Sequence, residues 1–205
     1  VILQEDKKEP VRDTSIVYIS NCFVGSDMTA HAFDSLVEKV NEKKPDVILF
    51  GGNLFGRHTK EVTVDKTLAS IKKMKAALGI YMVEGSADSA LVEEKKEKIS
   101  GAGVHLLLDE SAVLHNGLQL VGCRADGKTK KPMSYTLSLI NKEKPSIVLA
   151  GEAMEEKLKE EKKISLVLYP KKITDTGNGG TSGVNQMFPR NVLASAKINF
   201  MQIKK

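Results

Sequence analysis

Tryptophan is absent from this sequence, and aromatic residues make up only 5% of its 205 positions. The few aromatic residues do not interleave with the basic clusters, so base stacking against aromatic rings has little to build on. Long apolar runs are also missing. No stretch of about 18 apolar residues occurs, which argues against a membrane-spanning helix in this sequence. Because aromatic residues are too few to stack on bases, a nucleic-acid partner is not expected.

Cysteine is scarce as well, and its spacing matters more than its number. The two cysteines, Cys22 and Cys123, fit no zinc-binding pattern such as a pair of C-x-x-C elements. Each follows a predicted strand, so one disulfide is a possible arrangement. Two buried thiols are the expected one, because a thiol without a metal or disulfide partner behaves as a small apolar group.

The charge is positive and is carried mainly by lysine. The formal net charge is +5 and the sequence pI is about 9.0. Clusters at 72–75 (KKMK) and 128–131 (KTKK) are candidates for an anionic partner, either a small molecule or a membrane surface. Most other lysines alternate with glutamate, as in 93–98, which is typical of a solvated helix face.

The chain begins at Val1 rather than Met. If an N-terminal anchor was removed, we expect a protein at a membrane or outside the cytoplasm. Otherwise we expect a cytoplasmic protein.

Strands and helices alternate along the chain, which is predicted to form one domain over 1–205. The first half alternates strand and helix with short connections, and the second half contains a hairpin at Asn116-Gly117, a strong turn signal between apolar residues. Predicted strands are 15–20, 46–50, 80–83, 104–108, 112–115, 118–122, 146–150, 165–169 and 196–203. Predicted helices are 31–42, 64–78, 91–100, 135–141 and 154–162.

This order predicts an α/β fold. Strand–helix alternation favours parallel pairing with right-handed crossovers, and the hairpin adds an antiparallel part. Two mixed sheets packed face to face with helices outside, a four-layer α-β-β-α sandwich, accommodate both. In such a fold the loops at the carboxyl ends of parallel strands converge on one crevice, where function is expected.

The loops after the predicted strands carry recognisable motifs. Residues 19–25 (ISNCFVG) are similar to I-S-D-L-H-L-G, 45–54 (PDVILFGGNL) to P-D-L-V-L-F-T-G-D-L, and 79–88 (GIYMVEGSAD) to G-V-Y-A-V-L-G-N-H-D. Residues 145–152 and 179–183 are similar to P-x-I-L-L-A-H-E and G-x-G-T-S-G. These motifs resemble those of calcineurin-like metallophosphoesterases of the bacterial, membrane-anchored type, and the resemblance covers nearly the whole chain in order. It implies a metallophosphoesterase-like fold and, in the family, two divalent metals such as Mn, Fe or Zn, about 3.5–4 Å apart, that activate a water and clamp the phosphate.

The metal-ligand positions of those motifs carry other residues in this chain. One acidic position is retained, Asp88, and alone it is expected to cap or brace its loop. After 165–168, where the family has G-H-x-H, the chain continues through Lys171 and Lys172. The remaining positions are Asn21 for aspartate, Phe23 for histidine, Asn53 for the bridging aspartate, Ser86 and Ala87 for the Asn-His pair, and Gly151 for a lone histidine.

These replacements remove both charge and lone pairs from the predicted centre. An amide has no formal charge with which to bridge two cations, and Phe23, Ala87 and Gly151 have no side-chain lone pair. Lys171 and Lys172 would repel cations. The sequence therefore predicts no catalytic residue, no metal and no cofactor. It predicts an inactive binding or structural module, in which Asn21, Asn53, Ser86 and these lysines could hold a phosphorylated or otherwise anionic molecule.

The alternative is a divergent metal-dependent phosphoesterase of weak or altered activity, using Asp88, His58 and backbone groups. His58 follows the second strand and could approach the crevice, whereas the other three histidines are predicted to be structural or on the surface: His31, His105 and His115. Cys22 lies in the first loop and would be reactive only if exposed. No G-x-S-x-G or G-x-x-x-x-G-K-[ST] motif occurs, and the glycine-rich residues 177–180 are predicted to form a turn rather than a phosphate cradle.

Overall fold

The computed structural model describes residues 13–125, 131–150, 164–170 and 193–198. Within these ranges the helices are α1 (Ala30–Glu42), α2 (Glu61–Ile71), α3 (Ser89–Ser100) and α4 (Met133–Ser138). The strands are β1 (Thr14–Ile19), β2 (Val47–Gly51), β3 (Ile80–Val83), β4 (Val104–Leu106), β5 (Ser111–Val113), β6 (Gln119–Cys123), β7 (Ser146–Ala150), β8 (Leu166–Leu168) and β9 (Leu193–Ile198).

The strands form two mixed sheets. The first has the order β4-β3-β2-β1-β9, parallel from β4 to β1, with β9 antiparallel to β1. The second has the order β5-β6-β7-β8, in which β5 pairs antiparallel with β6 and the other pairs are parallel. The predicted pairing, parallel units with an added antiparallel hairpin, is confirmed.

Side-chain alternation along the strands builds the layers, because successive residues of a strand point to opposite faces of the sheet. In β2, Ile48 and Phe50 pack with the buried side of α1 and α2, while Val47 and Leu49 pack toward the second sheet. The second sheet repeats the pattern. Its inner residues include Leu120, Ile147 and Leu149, and its outer residues Val121 and Val148 pack with α4. The α-β-β-α order of layers is confirmed.

Helix α1 shows why these residues form a helix at this place. The Thr29 hydroxyl accepts a hydrogen bond from the Ala32 N–H at 3.1 Å, which satisfies one of the unpaired donors of the first turn. The apolar stripe at helical spacing consists of Phe33, Leu36, Val37 and Val40, and all four are buried. This stripe covers the outer face of the first sheet.

Helix α2 differs from its prediction, since it ends at Ile71 rather than 78. The Asn41 side chain, at the end of α1, donates to the Lys73 carbonyl and accepts from the Lys75 N–H, both at 2.9 Å. These bonds hold the segment after Ile71 as turns that lead into β3. The predicted helix 154–162 and the turn at 177–180 lie outside the described residues, as does the end of the predicted strand 196–203.

The two cysteines are both buried, and no disulfide joins them. Cys22 belongs to the cluster between the first sheet and its helices, whereas Cys123 belongs to the cluster between the second sheet and α4. Two sheets therefore separate the thiols, and the expected arrangement is confirmed. Burial raises the pKa of the Cys22 thiol well above its ordinary value, which argues against a reactive thiolate.

Candidate functional site

The loops that follow β1, β2 and β3 lie side by side at one edge of the first sheet. The Asn21 N–H donates to the Gly52 carbonyl at 3.1 Å, and the Phe23 N–H donates to the Asn53 carbonyl at 2.9 Å. The Val24 N–H continues this pairing toward Leu54 at 2.8 Å. The structure therefore brings together the first two predicted motif loops, in register beyond the ends of their strands.

Two asparagine side chains meet at the centre of this edge. The Asn53 Nδ2 donates to the Asn21 Oδ1 at 2.9 Å, and the Ala87 N–H donates to the Asn53 Oδ1 at 3.0 Å. Asn53 is fully buried and Asn21 nearly so. Both have left-handed backbones, with φ of 55° and 54°, a conformation that asparagine tolerates better than most residues.

Glycine makes the close approach of these loops possible. A Cβ at Gly85 would lie 2.2 Å from the Asn53 Oδ1, and one at Gly52 would lie 2.9 Å from the Gly85 Cα. Gly52 also has a φ of +94°. Any larger residue at Gly85 would displace the amide of Asn53 from its bond to Ala87.

Asp88 joins the second and third loops through both carboxylate oxygens. Its Oδ1 accepts from the N–H groups of Gly85 at 2.8 Å and Asn53 at 3.3 Å. Its Oδ2 accepts from Leu54 at 2.7 Å and Phe55 at 3.3 Å. Asp88 precedes α3, but its side chain makes no capping bond to that helix, so the carboxylate braces the loops rather than capping the helix.

Burial raises the pKa of Asp88 to about 6, because the charged carboxylate is removed from water. The four backbone donors act in the opposite direction by stabilising the charged form. Desolvation is the larger effect, and the carboxyl is fully buried.

The donor set does not fit the two divalent metals that the fold family implies. The Asn21 Oδ1 and the Asn53 Oδ1 each accept a hydrogen bond from the protein, and both Asp88 oxygens are directed at backbone N–H groups. Phe23 is half-buried and Ala87 partly exposed, and neither side chain has a lone pair. Among the described residues, no group of three or more His, Cys, Asp or Glu side chains is placed to hold a metal ion.

The four histidines are all exposed, and His58 lies in the turn after Gly56. His105 stacks on Tyr81 with ring centroids 5.0 Å apart, which gives it a packing role. Asp88, by contrast, is inaccessible. The alternative metal site of Asp88 with His58 thus pairs a buried carboxylate, already hydrogen-bonded through both oxygens, with an exposed imidazole. Of the remaining predicted positions, Ser86 is partly exposed, while Gly151, Lys171 and Lys172 lie outside the described residues.

A second polar cluster at the same edge was missed from the sequence. Arg124, which follows β6, donates from Nε and Nη2 to the two carboxylate oxygens of Glu84, which follows β3, at 2.8 and 3.0 Å. The same Nη2 donates to Glu93 of α3 at 2.8 Å. Asp109 accepts from the backbone N–H groups of Arg124 at 3.1 Å and Lys131 at 2.9 Å. This ion network joins the carboxyl-terminal edges of the two sheets.

The electrostatics of the network follow from its burial. Glu84 has no exposed surface, and burial raises its pKa even though the bidentate Arg124 guanidinium opposes the shift. Glu93 is half exposed, and its bond to Arg124 lowers its pKa. A signal was available in the sequence: Glu84 and Arg124 are opposite charges that each directly follow an apolar strand.

Comparison with known proteins gives a distant relationship. No family model matches the chain. An uncharacterized metallophosphoesterase of Helicobacter pylori (strain ATCC 700392 / 26695) is 25% identical over 189 residues, which cover 89% of this chain. The chain spans about half, 48%, of the length of that relative. This relative supports the resemblance to calcineurin-like metallophosphoesterases.

A solved structure supports the fold. The crystal structure of TT1561 of Thermus thermophilus superimposes with a TM-score of 0.51 over 68% of each chain, at 18% identity. At that identity the similarity bears on the fold alone, which agrees with two sheets flanked by helices. None of the described helices combines the length and the apolar composition needed to cross a bilayer.

Proposed function

We propose that this chain is a catalytically inactive metallophosphoesterase-like protein that serves as a binding or structural module. The amide pair supports this proposal most directly. Asn53 and Asn21 hydrogen-bond to each other at the place where the resemblance assigns metal-ligand carboxylates. An activity resides in its site rather than in its fold, so the fold does not by itself imply hydrolysis.

The electrostatic argument concerns charge balance. Two divalent cations bring four positive charges, which a metallophosphoesterase balances with carboxylates and coordinates with imidazoles. Of the metal-ligand motif positions in the described loops, one carries a carboxylate, Asp88, with both oxygens engaged by backbone donors. The other buried carboxylates of this edge, Glu84 and Asp109, are paired with Arg124 and with backbone N–H groups. We therefore expect no stable dinuclear centre and no metal-activated water.

Metal analysis combined with an activity assay tests the proposal. The protein, purified without chelators and incubated with Mn²⁺, Fe²⁺ or Zn²⁺, is expected to retain far less than one equivalent of metal by mass spectrometry. Hydrolysis of bis-p-nitrophenyl phosphate and of p-nitrophenyl phosphate should not exceed that of a metal-matched blank. Near-stoichiometric metal together with turnover that a chelator abolishes would instead establish the divergent phosphoesterase.

The ligand of the module belongs to the same proposal. Ser86, which is partly exposed, and the lysines at 171 and 172 are the candidates for holding a phosphorylated or otherwise anionic small molecule without a metal. The sequence also suggested Asn21 and Asn53 for this role, but their side chains are buried and bonded to each other. Titration calorimetry with inorganic phosphate and with phosphate monoesters tests this binding. Absence of heat at millimolar ligand would remove the anion-binding role and leave the structural one.

A further inference from the structure

The fold implies a metal centre that the described side chains do not fit, and this raises the question of what holds the three loops together. Building on the proposed inactive function, we infer that Asn53 is a hydrogen-bonded cross-link that fixes the loops after β1, β2 and β3 without any metal. A bridging metal ligand would join the same loops through cations. Here one neutral side chain joins them directly.

The contacts of Asn53 reach all three loops. Its Nδ2 bonds to Asn21 in the first loop, and its Oδ1 accepts from Ala87 in the third, at 2.9 and 3.0 Å. Its own carbonyl accepts from Phe23, and its N–H donates to Asp88. Because the residue is fully buried, water cannot replace these partners, and leaving a buried group without a partner is costly.

The cross-link requires an amide at this position. Asn21 presents an oxygen to Asn53 and Ala87 presents an N–H, so the side chain between them must donate on one side and accept on the other. A carboxylate accepts only. In the variant Asn53→Asp, two oxygens would face each other while Asn21 keeps its present orientation, and a second buried negative charge would lie beside Asp88.

This reasoning predicts an asymmetry between the two asparagines. Asn53→Asp loses a required donor, whereas Asn21→Asp keeps the oxygen that accepts from Asn53. We expect Asn53→Asp to lower the melting temperature by about 5 °C or more at pH 8, and Asn21→Asp to lower it by less. Asn41→Asp is the matched control, since Asn41 is a side-chain cross-link at the other end of α1 that is not fully buried.

Protonation gives a readout that loss of packing alone would not produce. A neutral carboxyl group has an O–H donor and a carbonyl acceptor, which is the arrangement of the amide it replaces. The melting-temperature difference between Asn53→Asp and the unmodified protein should therefore shrink from pH 8 to pH 5. The difference for Asn41→Asp should change little.

Added Mn²⁺, Zn²⁺ or a chelator should leave the melting temperature of the unmodified protein unchanged. If Asn53→Asp does not fold, amide hydrogen exchange of the unmodified protein still tests the cross-link, since the Ala87 N–H should be protected. Unprotected exchange at Ala87, equal stability of Asn53→Asp and the unmodified protein, or a loss independent of pH would each overturn the inference. The exchange, stability and pH results do not depend on metal content or turnover, so the proposed function can fail or stand separately.

Discussion

Asp88 places a carboxyl group in the protein interior, and its titration is a test at the scale of one residue. Its pKa is raised to about 6 in the folded chain, against an ordinary value of 3.8. The folded state therefore binds the proton more tightly than the unfolded state. Asp88 contributes about 3 kcal/mol to the free energy of unfolding. This contribution is fully present below about pH 4 and is lost as the pH rises through about 6.

The ¹³C shift of the Asp88 carboxyl carbon should accordingly titrate with a midpoint near 6. Urea unfolding should show roughly half of that loss, about 1.4 kcal/mol, between pH 5 and pH 8, and the variant Asp88→Asn should lack this contribution to the pH dependence. The variant is also expected to be less stable overall, because its NH₂ group would face backbone N–H donors. A midpoint near 4 would show that the four backbone donors fully offset desolvation, and would contradict this prediction.

Arg124 supports a second prediction at the residue scale. Replacing it by methionine leaves Glu84 buried without its guanidinium partner, which should cost about 3–5 kcal/mol in the free energy of unfolding. The double variant Arg124→Met/Glu84→Leu should recover much of that loss, because the unpaired buried charge of Glu84 is removed as well. Lys96→Met, which removes an exposed pair with Glu93, is the control and should change stability by less than about 1 kcal/mol. A double variant as unstable as the single one would contradict this account.

The two polar clusters differ in how far the sequence could predict them. Asn21, Asn53 and Asp88 follow parallel neighbouring strands of one sheet, so their convergence follows from strand order. The bond between Asn53 and Asn21 could not be predicted, because it depends on two left-handed backbones and on the space left by glycine. Glu84 and Arg124 belong to different sheets, and only the packing of those sheets brings them together.

At the scale of elements, the ends of α1 and α2 form one basic surface. We call this the basic pole, and its lysines are Lys43, Lys44, Lys72, Lys73 and Lys75, all exposed. The hydrogen bonds from the Asn41 side chain to the backbone of Lys73 and Lys75 bring the lysines after α1 close to those after α2. From the sequence, only the 72–75 part of the basic pole could be predicted, because the approach of α1 depends on the early end of α2. Lys44 also has a φ of 47°, at a position after a helix where glycine is usual.

The basic pole predicts salt-sensitive association with an anionic lipid surface. Lysines near such a surface contribute about 1 kcal/mol each, and they act as point charges without the planar fork of arginine. Lys72→Glu/Lys75→Glu should reduce co-sedimentation with phosphatidylserine-containing vesicles more than tenfold at low salt, about the effect of 1.4 kcal/mol. The charge-matched control Lys60→Glu/Lys142→Glu should have a small effect. Equal binding by both variants, or binding that salt does not weaken, would argue against this surface.

At the scale of the whole molecule, the alternation of strands and helices along the chain predicted the layers well. In β2 and β7 every residue is buried, so period alone could not assign a face to each side chain. The opposite faces emerge from the packing, with Ile48 in the helix-side cluster and Leu49 between the sheets. The extent of one domain over 1–205 stays a prediction, and the cluster between the sheets provides its test.

Leu49 of the first sheet and Leu149 of the second both lie in that central cluster and are fully buried. If the sheets share one core, removing either side chain weakens both. Leu49→Ala and Leu149→Ala should each lower the free energy of unfolding by about 2–5 kcal/mol. Each should also reduce amide exchange protection in β2 and in β7, since a cooperative unit opens as a whole. Val62→Ala, at a position 57% exposed, is the control and should stay within about 0.5 kcal/mol. Loss of protection confined to the substituted sheet would mean that the two sheets unfold independently.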